Sequence, residues 1–129
     1  MKKILLDTHV LLFDALTPDR LSQKAKLLLE EPNELYCSAL SLWEIAMLLR
    51  KGRILIEQDH EAFMTDILLS RDIKILPLTL PIAIKSQIWA AQHKDPADLI
   101  IAATALFHNI PLLSCDEALA KFNGIAVIW

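Results

Sequence analysis

Lys3-Ile4-Leu5-Leu6-Asp7-Thr8-His9 is the stretch on which the fold turns. Three apolar residues stop abruptly at a carboxylate, and a helix-compatible segment follows at once. The pattern returns near the other end, where Ile110-Pro111-Leu112-Leu113-Ser114-Cys115 runs into Asp116. Between them, apolar runs alternate with amphipathic helical patterns, as in a parallel sheet with covering helices.

Working outward from Asp7, the pattern predicts a strand over Lys3–Thr8 and helices near His9–Leu16 and Ser22–Glu31. A strand over Glu34–Ala39 leads into a helix from Ser41 to about Lys51, with Gly52 as its stop. Then come a helix over Asp59–Ser70, a strand over Ile73–Leu78, and a helix from Pro81 to about Gln92. Asp95-Pro96 opens a helix that ends near His108-Asn109. The strand Ile110–Cys115, a short helix Glu117–Phe122 and a last strand Ile125–Trp129 complete the chain. With only two glycines and no low-complexity tract, the 129 residues read as one domain without linker or internal repeat.

Connectivity then places four acids at one edge. Parallel strands all end on the same side, so Asp7 and Asp116 share that side. Right-handed crossovers start the helices bearing Glu44 and Asp98 there too. Ligands of open α/β sheets bind in this crevice. Carboxylates crowded together repel one another unless a cation neutralises them, so the arrangement points to a metal-dependent site. Hard oxygen ligands without a Cys or His cluster suit Mg²⁺ or Mn²⁺, one ion or two.

Each acid also has a purely structural reading. Asp7 could cap the helix after it, although Thr8 is available for that work. Ser41-Leu42-Trp43-Glu44 has the form of a capping box, which alone would explain Glu44. Asp95 fits an N-cap, and Pro96 the first helical position. Asp98 shares a face with Ile101, Ala102 and Ala105, a small-residue surface on which a carboxylate needs a partner. That makes Asp98 a ligand and Asp95 its cap or outer support. Asp116 could cap the short helix from Glu117; it reads as a peripheral member of the cluster, with Ser114 orienting a ligand or a water.

Further candidates are Thr8 and His93, which could steady the ligand carboxylates or touch substrate, and His9 at the pocket lining. Arg50, Lys51 and Arg53 could meet phosphates, or simply suit a helix C-terminus. Trp43 and Trp89 read as core or interface residues.

The composition sets bounds. A hydrophobic content of 54% gives apolar surface to spare, expected to cover a partner or a second copy. No run approaches the roughly 18 to 20 apolar residues that span a bilayer, and Asp7 cuts short the signal-like start. The expected location is the cytoplasm. Cys37 and Cys115 lack metal-ligand spacing and read as reduced thiols in buried strands. A net charge of −3 argues against bulk attraction to nucleic acid, yet bound metal would reverse the local field.

The motifs Leu5-Leu6-Asp7-Thr8-His9, Ser41-Leu42-Trp43-Glu44-Ile45-Ala46 and His93-Lys94-Asp95-Pro96-Ala97-Asp98 closely resemble those of a known family. So do the run Asp98 to Ala105 and the segment Leu112-Leu113-Ser114-Cys115-Asp116. Together, in order, they look like a PIN domain, specifically the VapC-type toxin of a type II toxin–antitoxin pair. The resemblance implies a three-layer α/β/α sandwich around a five-stranded parallel sheet. It implies a Mg²⁺- or Mn²⁺-dependent endoribonuclease with its acidic quartet at Asp7, Glu44, Asp98 and Asp116. It also implies homodimerisation, or a higher toxin–antitoxin assembly, and inhibition by an antitoxin whose peptide enters the active-site groove. Two positions depart from the family pattern: Leu99 stands where Arg is frequent, and Phe13 where Trp is.

The expected chemistry is hydrolysis of an RNA phosphodiester by a metal-activated water. One rival is a catalytically silent module that keeps the fold and grips a partner protein. Another is a phospho-accepting signalling or phosphatase domain. Against the latter, the strand Ile73–Leu78 ends without an acid and the strand ending at Asp116 carries no lysine.

Overall fold

The computed structural model describes all 129 residues. Its strands are Lys3–Leu6 (β1), Glu34–Ser38 (β2), Lys74–Leu76 (β3), Leu112–Leu113 (β4) and Val127–Ile128 (β5). The helices are Thr8–Leu16 (α1), Gln23–Glu30 (α2), Ala39–Arg50 (α3), His60–Ser70 (α4), Leu80–Lys85 (α5), Pro96–His108 (α6) and Glu117–Ala120 (α7). All pairings are parallel, in the order β3-β2-β1-β4-β5. This is the five-stranded α/β/α sandwich that the sequence implies.

The two-residue period of a strand builds one core on each face of the sheet. Ile4, Leu6, Leu35 and Cys37 join Leu11, Leu28, Ile45 and Ile67, from α1 to α4, in the larger core. Leu5 and Leu112 point the other way, into Ile82, Trp89, Ile101 and Leu119. Strand order reverses at β1: β2 and β3 extend to one side, β4 and β5 to the other. The chain therefore leaves a crevice above β1 and β4, the place where such sheets bind ligands.

Local hydrogen bonds correct several expectations. The helix after β2 begins at Ala39 rather than Ser41, because the Ser38 side chain accepts from the Leu40 amide at 3.1 Å. Ser41 and Glu44 thus form no capping box, and Glu44 sits in the second turn. The helix expected from Pro81 to Gln92 ends at Lys85 and continues as a 3-10 turn, Ser86–Trp89. There the Ser86 hydroxyl donates to the Ala83 carbonyl at 2.6 Å, a local bond that competes with regular helix. A second 3-10 turn, Pro18–Arg20, links α1 to α2.

Strand β4 is shorter than the run Ile110–Cys115, and its last part turns outward. Cys115 is consequently exposed, not buried in a strand; Cys37 is buried. Trp89 is core at 2% exposure, whereas Trp43 is 58% exposed and belongs to no core. No helix is long and apolar enough to cross a membrane.

Candidate active site

Asp7 is the first residue beyond β1, the central strand, and is only 3% exposed. It does cap α1, through the Thr8 amide, which donates to Oδ1 at 2.8 Å. Thr8, the expected alternative cap, is instead the first helical residue. The second Asp7 oxygen accepts from the Ser114 hydroxyl at 2.7 Å. Ser114 follows β4, the neighbour of β1, and is 1% exposed. Burial pushes the Asp7 carboxyl above its ordinary range, against these two bonds, and Asp116 pushes it further.

Glu44 approaches from α3. Thr8 Oγ1 donates to Glu44 Oε1 at 2.5 Å and lies 2.9 Å from the buried Ser41 hydroxyl. Thr8 thus couples Asp7, through the backbone, to Glu44, through its side chain. Ser41 was legible only as a helix start; its place beside Thr8 depends on how α3 packs on α1. Burial raises the Glu44 carboxyl too, with Asp95 and Asp7 adding to the effect.

Asp98 lies in the first turn of α6, with Ile101, Ala102 and Ala105 buried along the same side. Its Oδ2 is 2.9 Å from His93 Nε2. Burial first, then Asp7, Asp95 and Asp116, push its carboxyl up to about 6, even though His93 opposes the shift. Asp95 acts as the cap, accepting from the Ala97 amide at 3.0 Å and more weakly from the Asp98 amide at 3.4 Å. Asp116 caps α7 through the Ala118 amide at 2.8 Å, and its own amide donates to Ser114 Oγ at 3.1 Å. Donor atoms of His93, Asp98 and Asp116 fall within 4.8 Å of one another. His93 is accordingly a half-buried neighbour of the acids rather than an exposed helix-end residue.

His9 is exposed at the rim, near enough to favour the charged forms of Asp7 and Glu44. Arg50 is the exposed last residue of α3, a helix that starts at the acidic edge and runs away from it. At about 1.5 Å of rise per residue, that helix carries Arg50 about 9 Å along its axis beyond Glu44. Leu99 is 7% exposed and joins the apolar core beneath α6. Phe13 is buried under the Arg20 guanidinium, which sits 4.4 Å from its ring centre.

Carboxyls held above their usual range in a shared crevice fit a divalent cation, which would stabilise their ionised forms. Carboxylate oxygens predominate, and Asp7, Glu44, Asp98 and Asp116 are the residues that could supply them.

An open parallel sheet with such a crevice at its reversal point defines an α/β/α protein with an acidic, metal-compatible site. The sequence model of the PIN domain family matches residues 4–125, and the chain belongs to that family. It is similar to Ribonuclease VapC22 of Mycobacterium tuberculosis (strain ATCC 25618 / H37Rv), with 30% identity over 120 residues. That match covers 92% of this chain and 91% of the relative. Among solved structures it is similar to a toxin–antitoxin complex from Klebsiella pneumoniae, at TM-score 0.67 and 25% identity. Coverage there is 98% of this chain and 96% of the other. The fold also matches VapBC2 of Rickettsia felis, bound to a DNA fragment of its promoter, at TM-score 0.73 and 19% identity. That likeness covers 98% of this chain and 97% of the other.

Proposed function

We propose that the protein is a Mg²⁺- or Mn²⁺-dependent endoribonuclease and the toxin of a type II toxin–antitoxin pair. The observation that carries this reading is the shared crevice of Asp7, Glu44, Asp98 and Asp116, with burial raising the first three. Likeness to a protein named a ribonuclease supports RNA as the substrate. Likeness to a toxin–antitoxin complex supports an antitoxin as the partner.

Asp7, Glu44 and Asp98 hold the ion or ions, with Asp116 completing the cluster. A bound divalent ion supplies an acidified water and charge stabilisation for the phosphate. Ser114 and the Thr8 amide fix the two Asp7 oxygens, Thr8 Oγ1 fixes Glu44, and Asp95 holds the first turn of α6. Next to Glu44 opens a cleft of about 640 Å³ lined by Leu40, Trp43, Met47 and Lys94. An exposed indole beside a cation suits a single-stranded nucleic acid, base on ring and phosphate on ammonium. Exposed apolar residues elsewhere, such as Leu80, Ile84 and Ile88, support a homodimer or larger assembly. The cytoplasm is the matching location.

The test is cleavage of a labelled RNA with Mg²⁺ or Mn²⁺, with and without EDTA, by wild type and Asp98→Asn. Cleavage confined to metal-loaded wild type is expected. Equal cleavage under every condition would end the proposal.

A further inference from the structure

His93 brings a nitrogen into a site otherwise built of oxygens. Its Nε2 is 2.9 Å from Asp98 Oδ2, and with Asp116 the donor atoms span no more than 4.8 Å. The ring is held from behind by the apolar core. Phe122 meets it edge-on at 5.5 Å between centroids and stacks on Trp89 at 4.9 Å. Trp89 and Phe122 are 2% and 3% exposed. Trp89 Nε1 donates to the Asn123 carbonyl at 3.2 Å, and the His93 amide donates to the Trp89 carbonyl at 3.1 Å. The imidazole is therefore aimed at the acids by a rigid support, the preorganisation that ligand side chains need.

The spacing is informative. Two ligands at adjacent corners of an octahedral shell, with bonds of about 2.1 Å, lie about 3 Å apart. The separation of Nε2 from Oδ2 suits two ligands of one ion as well as it suits a hydrogen bond.

We propose that His93 is a metal ligand through Nε2, beside Asp98 and Asp116, and that it shifts the centre from Mg²⁺ toward Mn²⁺. This rests on the metal-dependent reading above and specifies its donor set. Mg²⁺ favours oxygen ligands and dehydrates reluctantly, whereas imidazole is a good ligand for first-row transition ions.

The experiment is electron spin echo envelope modulation of the EDTA-stripped protein reloaded with one equivalent of Mn²⁺, alongside calorimetry with Mn²⁺ and with Mg²⁺. Nitrogen-14 modulation from a directly bound imidazole is expected in wild type and in His9→Gln, and its loss in His93→Gln. Calorimetry should show Mn²⁺ binding weakened about tenfold in His93→Gln, with Mg²⁺ binding affected less. Should His93→Gln fail to fold, nitrogen-15 histidine labelling of His9→Gln, His60→Gln and His108→Gln gives the same reading, nitrogen-15 coupling that survives in all three assigning the ligand to His93. Mn²⁺ bound in an oxygen-only shell, or nitrogen modulation that survives in folded His93→Gln, overturns the assignment of His93 and leaves the ribonuclease reading standing. Folded wild type that binds no Mn²⁺ overturns both.

Discussion

Ser114 donates to Asp7 Oδ2 at 2.7 Å across 107 positions of sequence, tying the ends of β4 and β1 together beneath the acidic crevice. Both side chains are almost wholly buried. The bond holds the least exposed carboxyl of the site in one orientation. Ser114→Ala removes a donor from a buried, charge-accepting oxygen, at a cost of about 1.5–3 kcal/mol. Urea unfolding at neutral pH should show that loss, together with weaker metal binding by calorimetry. Unchanged stability would mean that water replaces the hydroxyl freely.

Asp98→Asn should abolish RNA cleavage while making the metal-free protein more stable. The substitution removes a carboxyl raised to about 6 by burial and by neighbouring acids. For a chain of this size, each 1 kcal/mol moves Tm by about 3–4 °C. Calorimetric melting in EDTA should therefore place the variant a few degrees above wild type, and added Mn²⁺ should raise the variant less.

The same carboxyl sets a pH dependence. Its folded pKa of about 6 exceeds the ordinary value, so the native state binds more protons than the unfolded one between about pH 4 and pH 6. Its contribution is fully present below that window and is lost as pH rises through about 6. Asp7 and Glu44 are shifted in the same direction. In EDTA, the Tm of wild type relative to Asp98→Asn should fall as pH climbs from 4 to 7.5. Mn²⁺ competes with those protons, so the Tm gain on adding it should be larger at pH 7.5 than at pH 5. A gain independent of pH would contradict the assignment.

Trp43 offers a test of the substrate cleft that leaves the core alone. It is 58% exposed, so Trp43→Ala should change stability by no more than about 0.5 kcal/mol. Loss of a stacked base costs about 1–3 kcal/mol, which corresponds to KM for a short single-stranded RNA rising roughly 5- to 150-fold. An unaltered KM would move the RNA path away from α3.

The two thiols should separate cleanly. Cys115 is exposed and Cys37 is buried, its thiol pushed up to about 12. A thiol reagent should modify Cys115 in the native protein and Cys37 only after unfolding, as read by intact mass.

Much of this architecture could be read directly from residue order. Apolar runs ending in Asp7 and Asp116 announce parallel strands, and helical periods between them announce the covering layers. Asp95-Pro96 marks the start of α6 because N-cap and first-position preferences are local. Other features failed for a physical reason: Ser38 and Ser41 are both competent caps, and short-range chemistry does not choose between them. The choice is settled where β2 ends, and it moves Glu44 from a capping role to a partner of Thr8. Cys115 likewise looked apolar enough to be core, yet it falls where its strand turns toward solvent; Trp43, read as core or interface, is exposed and so takes no part in the core.

Chain order alone specified the class of fold, the edge at which the acids gather, and which carboxylates are candidates, since strand polarity and crossover handedness follow from local pattern. It left open the order of strands, and with it the contact between Ser114 and Asp7 and the approach of His93 and Asp116 to Asp98. The first joins residues 107 positions apart and is made only by the packing of two cores against one sheet. His93 lies just five positions from Asp98, and its turn toward that carboxyl, with the Asp116 donor atom within 4.8 Å, is set by how it packs on Phe122.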